Sequence, residues 1–238
     1  MPEDSKDMET IMKKVADNVW TVDRPFRFFI ANLGVRMTII KLSSGGLILH
    51  SPVSYEDGIR KQLDSMGEVC AIVAPNCMHN LFLCDWINAY PNAAYYKPPG
   101  MPQIKISPPK EITFGDDAPS AWQDEVEQYM VKGMPQYNEV VFCHKASRTL
   151  ILTDLAFNIN SANSVSEKLF LRLNGAYRRF GPTRIFKTFI KDRNAFKASI
   201  DHILQWDFDS IILSHGEIIC RGGKDQFREA FEWLKNDP

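Results

Sequence analysis

Apolar and polar positions along the chain predict strands and helices in alternation. Val19-Trp20-Thr21-Val22 alternates as a strand, and Val35 to Leu42 is rich in β-forming residues. Ser43-Ser44-Gly45-Gly46 is a turn signal, and Leu47-Ile48-Leu49-His50 leads back to complete a hairpin closed by Ser51-Pro52. Ser54 with Asp57 predicts a helix cap, with the helix running to about Met66. Val69 to Ala74 is an apolar run expected to be a buried strand, broken by Pro75-Asn76-Cys77-Met78-His79-Asn80. Leu81 to Tyr90 then predicts a helix, and Ala93 to Tyr96 a further strand. Val126 to Val131, Glu139 to Cys143 and Leu150 to Thr153 predict three more strands. The last two are joined by the Lys145 to Arg148 turn, and the last ends at Asp154. From Ser164 onward the pattern is mostly helical, interrupted by Gly181-Pro182 and by a short strand, Ile211 to Leu213, that ends in His215-Gly216. Phe196, Ile200, Ile203 and Leu204 recur at helical spacing within Asp192 to Trp206, as do Phe227, Ala230, Phe231 and Leu234 within Gln226 to Leu234.

With 238 residues and no repeat, low-complexity tract or linker, one α/β domain over residues 17–238 is expected, behind a polar leader over residues 1–16. A net charge of -1 argues against general attraction to nucleic acid or an anionic membrane. The leader lacks the apolar core of a signal peptide, and no apolar run is long enough to span a bilayer. Five scattered cysteines without a CxxC pair argue against a structural zinc knuckle and suit reduced thiols, so a cytoplasmic location is expected.

The candidate chemistry lies at strand ends, where open α/β sheets place their sites. His50, His79, Asp154 and His215 arrive there separately, and histidines with an aspartate form a plausible metal set. No HExxH or HxHxDH spacing is present. A metal-free cluster held by hydrogen bonds accounts for the same residues. His144 stands at the turn end of the second hairpin. Roughly five residues at about 3.3 Å each put it some ~17 Å from Asp154, so it is read as a surface or turn residue. His202 is read as an ordinary helix-face residue.

The order hairpin, strand–loop–helix, hairpin ending in Asp154, helices and strand ending in His215-Gly216 resembles the metallo-β-lactamase fold, including its glyoxalase II branch. More closely, the chain resembles an uncharacterised family within that fold. The residues that carry this are His50-Ser51-Pro52, Pro75-Asn76-Cys77-Met78-His79, Pro98-Pro99-Gly100, Ser147 to Asp154 and His215-Gly216-Glu217, together spanning about Val19 to Leu234. The resemblance implies an αββα sandwich of two mixed sheets flanked by helices. It also implies that Asp154 is the superfamily's bridging aspartate and His215 its final metal-binding histidine. The departures are large. The loop that would be HxHxDH holds one histidine. His79-Asn80 either stands at the D-H pair, or a one-residue shift makes His79 the ligand. The superfamily's next histidine, expected near Gly133 to Pro135, is missing. His50 stands where the superfamily has an aspartate.

The implied site is therefore His79, Asp154 and His215, with His50, Asn80 and Glu217 as supporting candidates, holding at most one zinc or iron ion. The expected function is a metallo-hydrolase-like protein acting on an ester, thioester or lactone. The alternative is a non-catalytic member that binds a small molecule or a protein partner. Three other features have two readings each. The basic and aromatic stretch Lys168 to Arg193 suits a lid or an anionic-ligand surface, but better suits a helical cover with a solvated basic face. Pro98-Pro99-Gly100 suits a pocket rim or a rigid connection. Cys77 suits a reactive thiol, but better a buried one.

Overall fold

The computed structural model describes residues 12–115 and 117–235. The elements are β1 (Lys13–Ala16), β2 (Val19–Arg24), β3 (Arg27–Phe28), β4 (Ala31–Asn32), β5 (Val35–Lys41), β6 (Leu47–His50), α1 (Asp57–Met66), β7 (Val69–Val73), α2 (Leu83–Ala89), β8 (Ala94–Lys97) and β9 (Glu111–Thr113). They continue with β10 (Val126–Met130), β11 (Val140–His144), β12 (Thr149–Ile151), α3 (Val165–Leu173), α4 (Arg184–Lys187), α5 (Arg193–Ile203), β13 (Ser210–Ile212), α6 (Gly223–Ala230) and a 3₁₀ turn, Glu232–Leu234.

Two sheets form the body, in the orders β1-β2-β5-β6-β7-β8-β9 and β10-β11-β12-β13. Both are mixed. β5 and β6 pair antiparallel, then β6 through β9 run parallel; β10 to β12 form an antiparallel meander, and β13 joins β12 in parallel. The two-residue alternation of strand side chains sorts the core into three layers. Val140 and Phe142 of β11 face the first sheet, packing with Ile40, Ile48, Val73 and Tyr96. Their neighbours Val141 and Cys143 face outward onto Phe196 and Ile200 of α5 and Phe227 of α6. On the other side, Met37, Ile39 and Leu49 pack under Ile59 and Leu63 of α1 and Trp86 of α2. These layers make the αββα sandwich of mixed sheets that the resemblance implies.

Three local expectations need correction. Lys13–Ala16, assigned to the leader, is edge strand β1 paired with β2, where exposed lysines leave one edge charged; the rest of the leader lies outside the described residues. The cap of α1 is Glu56, without a side-chain cap bond, because its carboxylate grips Arg24 at 2.6 and 2.9 Å. The small hairpin β3-β4 carries no alternating pattern and was not expected. It docks on α3 through Glu167, whose carboxylate accepts from Asn32 N at 2.7 Å and Asn163 N at 2.6 Å. Ser164 caps that helix, its hydroxyl accepting from Glu167 N. No helix among the described residues is long and apolar enough to cross a membrane.

Candidate metal centre

Three strand ends converge at one edge of the sandwich. His79 is carried by the loop after β7, Asp154 follows β12, and His215 follows β13. One donor atom from each lies within 4.8 Å of the other two, the sole such His/Cys/Asp/Glu group of three or more found among the described residues. His79 Nε2 stands 3.4 Å from Asp154 Oδ2, and His215 Nε2 stands 3.3 Å from Asp154 Oδ1. Donors held about 2.0–2.1 Å from a tetrahedral zinc stand about 3.3–3.4 Å apart, so each histidine–carboxylate spacing matches a pair of ligands on one ion, with the two histidines facing opposite oxygens of Asp154. They are longer than the usual N–H···O hydrogen bond, with its ~2.7–3.2 Å range.

The outer nitrogens are already engaged. His215 Nδ1 lies 2.6 Å from the Gly34 carbonyl, which can only accept, so this nitrogen carries the proton. Nε2 then faces Asp154 Oδ1, placed either to share a metal ion with the carboxylate or, as an imidazolium, to donate to it. His79 Nδ1 is 2.7 Å from Ser51 Oγ, which leaves its Nε2 toward the same carboxylate. Such partners on the far nitrogen are the usual support of metal-binding histidines. The donor set therefore fits one ion. Burial works to raise the Asp154 pKa, but the two imidazoles outweigh it and hold the carboxyl well below its ordinary range.

Two residues of the site had not been picked out as functional. Asn76 is fully buried. Its Nδ2 donates to Asp154 Oδ2 at 2.8 Å and Thr153 Oγ1 at 2.9 Å, while its Oδ1 accepts from Met78 N at 2.8 Å and His79 N at 2.9 Å. One side chain thus shapes the His79 loop and aims the aspartate. An asparagine just after a buried strand, able to close a turn onto nearby amides, is the sequence signal by which it could be found. Glu139, also buried, accepts from Thr153 N at 2.8 Å and Asp154 N at 3.0 Å, fixing the backbone that presents the carboxylate. Burial, then the charge of Asp154, pushes its own pKa up to about 8, against the lowering effect of those two amides. Nothing local in the sequence separates Glu139 from a strand-edge carboxylate.

The supporting candidates fall elsewhere. Asn80 is engaged in its own loop, its Nδ2 donating to the Cys77 carbonyl at 3.3 Å. Glu217 is exposed and gives the site no side chain; its carbonyl accepts from Asn158 Nδ2. His50 points between the sheets, edge-on to Phe142 at 5.0 Å, with no hydrogen-bond partner at either ring nitrogen among the described residues. Burial, and then the nearness of His79, lower its pKa to about 3, so it is a neutral core imidazole. His144 is at the hairpin turn as expected but is buried, bonded to Ser147 Oγ at 2.7 Å, because β10 and the turn cover it. His202 stacks on Tyr129. Cys77 is a buried thiol, its pKa raised by burial, which donates to the Pro99 carbonyl. The Pro98-Pro99-Gly100 segment does not line the cleft.

The group lies in a cleft of about 280 Å³. Its walls come from the β3-β4 hairpin region, the His79 loop, and Phe170, Leu171, Phe186 and Phe189 of the basic-aromatic stretch. That stretch is thus a wall of the cleft as well as a cover, while Lys168, Arg172 and Arg178 gather around the Tyr177 ring.

The fold has relatives among solved structures. The structure is similar to a metallo-beta-lactamase from Pontibacter korlensis, at TM-score 0.65 and 14% identity over 95% of this chain and 99% of that one. A metallo-beta-lactamase from Erythrobacter litoralis aligns at TM-score 0.61 and 12% identity, covering 95% and 92%. The metal-soaked Flv1 flavodiiron core from Synechocystis sp. PCC6803 aligns at TM-score 0.65 and 9% identity, covering 94% of this chain and 60% of that one. No curated protein matches the sequence. At these identities the likeness shows the fold, which is that of the metallo-β-lactamases. Residues 16–169, more than half the chain, match the model for the domain of unknown function DUF4336, and the chain belongs to that family.

Proposed function

We propose that the protein is a metal-dependent hydrolase with a single zinc or iron ion held by His79, Asp154 and His215, acting on an ester, thioester or lactone. The observation that carries this is the convergence of donor atoms from His79, Asp154 and His215 within 4.8 Å of one another. The Gly34 carbonyl holds His215 Nδ1, which turns Nε2 toward the carboxylate at 3.3 Å. The metal named in the fold relatives, metallo-beta-lactamases and a flavodiiron core, supports the same reading. The bound ion would polarise a carbonyl or activate water. The chain's own residues supply the rest. Ser51 and Gly34 hold the two rings, Asn76 keeps the carboxylate oriented, and Glu139 secures the backbone behind it. The apolar walls lower the polarity around the floor, which strengthens the electrostatic contacts there.

A second reading, a non-catalytic member that uses the cleft to bind a small molecule, is favoured by the short donor list. Three protein donors are the minimum for a catalytic zinc. Metal loading followed by a p-nitrophenyl ester assay separates the two. The hydrolase reading expects zinc- or iron-loaded protein to release p-nitrophenol and Asp154→Ala to release none above background. Equal rates for loaded, stripped and Asp154→Ala protein would leave only the binding reading.

A further inference from the structure

The walls of the cleft specify the non-reacting part of its ligand. Every ionisable side chain that fits a reacting role stands at the floor: His79, Asp154 and His215. The neutral polar groups along the walls, apart from the Tyr137 hydroxyl, are engaged internally. Ser51 Oγ bonds His79, Asn174 Nδ2 donates to the Phe170 carbonyl, and Thr183 Oγ1 accepts from Phe186 N. No lysine or arginine lines the cleft, although seven lie between Val165 and Lys191. Beside that hydroxyl, what remains is hydrocarbon, including Phe26, Leu33, Val35, Phe170 and Phe189. This lining does not stop at the mouth. Phe28, Met78, Leu81 and Ile185 belong to it and are 43%, 59%, 67% and 44% exposed. A continuous apolar track therefore runs from the polar floor out to solvent. A compact polar ligand would leave it bare, whereas a linear hydrocarbon chain with a carbonyl head covers it from end to end.

We propose that the cleft takes a straight-chain acyl group, with the carbonyl at the His79, Asp154 and His215 floor and the alkyl chain along the Phe170 and Phe189 wall toward Leu81 and Ile185. The inference rests on the hydrolase reading for its ester or thioester head, but the chain subsite stands without it. Each methylene moved from water into such a wall contributes about 0.8 kcal/mol, or about fourfold in affinity.

The test is equilibrium binding of straight-chain carboxylic acids from butanoate to decanoate, below their micelle concentrations, to metal-loaded and metal-stripped protein. The expected result is affinity rising about fourfold per added methylene in both forms. Leu81→Gln with Ile185→Gln, both at exposed mouth positions, should flatten that rise for the longer acids. Val165→Gln, 85% exposed and outside the cleft, should leave it unchanged. No rise with chain length would overturn the proposal, and so would a rise equally insensitive to both sets of substitutions. If the protein binds no metal and the rise persists, the hydrolase reading falls and the acyl subsite remains.

Discussion

Gly216→Ala tests how the fold presents His215. Gly216 has φ +91°, and a Cβ there would fall inside the van der Waals envelope of the Asn158 carbonyl and meet Ile159 N at 3.0 Å. The obstacle is backbone, clasped on both sides. Asn158 N donates to the His215 carbonyl at 3.2 Å, and Glu217 N donates to the Asn158 carbonyl at 2.8 Å. Relief would require the two chains to part, moving the histidine away from Asp154. A left-handed conformation costs a side-chain-bearing residue about 1–2 kcal/mol, and overpacking adds about 1–3 kcal/mol. The sum is about 2–5 kcal/mol. At about 2–4 °C per kcal/mol for a chain of this size, Tm should fall by about 4–20 °C in a thermal melt. Gly45→Ala is the matched control, since Gly45 has φ +90° but a Cβ there meets nothing within 4 Å. It should show only the conformational part, about 1–2 kcal/mol, and should keep its metal affinity. Gly216→Ala should also weaken metal binding by about tenfold or more. Equal Tm losses and equal metal affinities in the two variants would refute the claim that close approach to Asn158 positions His215.

Other expectations follow from single contacts. Asn76→Ala removes four hydrogen bonds around Asp154 and His79, and should lower stability by about 2–4 kcal/mol in denaturant melts and metal affinity by about 10–100-fold in chelator competition. His50 has a folded pKa of about 3 against 6.5 unfolded. It therefore costs no stability above pH 6.5 and about 1.4 kcal/mol per unit as pH falls below that, down to about 3. In His50→Phe the acid loss between pH 7 and pH 5, read from denaturant midpoints, should shrink by about 2 kcal/mol.

Much of the architecture is legible in the sequence because burial on two faces leaves plain marks. The β5-β6 and β11-β12 hairpins announce themselves by β-forming runs and turn residues, whereas the αββα layering comes from the resemblance of the element order to the metallo-β-lactamase fold. The three candidate donors are legible for a different reason: each is a chemically capable side chain at the end of a strand. What escapes is long-range or without pattern. β1 carries Lys13 and Lys14 and reads as leader, and β3 and β4 are too short to alternate. Asn76 acts on a residue 78 positions away, and Glu139 acts through backbone amides rather than its own reach into the site. The cleft likewise depends on α3 and α4 folding over the sheet ends, so Phe170 and Phe189 read as ordinary packing until the tertiary structure places them.

Whether His79, Asp154 and His215 hold one metal ion can be read from elemental analysis of chelator-free purified protein. About one equivalent of zinc or iron per chain is expected in the wild type, with its loss in Asp154→Ala. Substoichiometric zinc, iron and manganese in the wild type, or full retention in Asp154→Ala, would contradict that expectation.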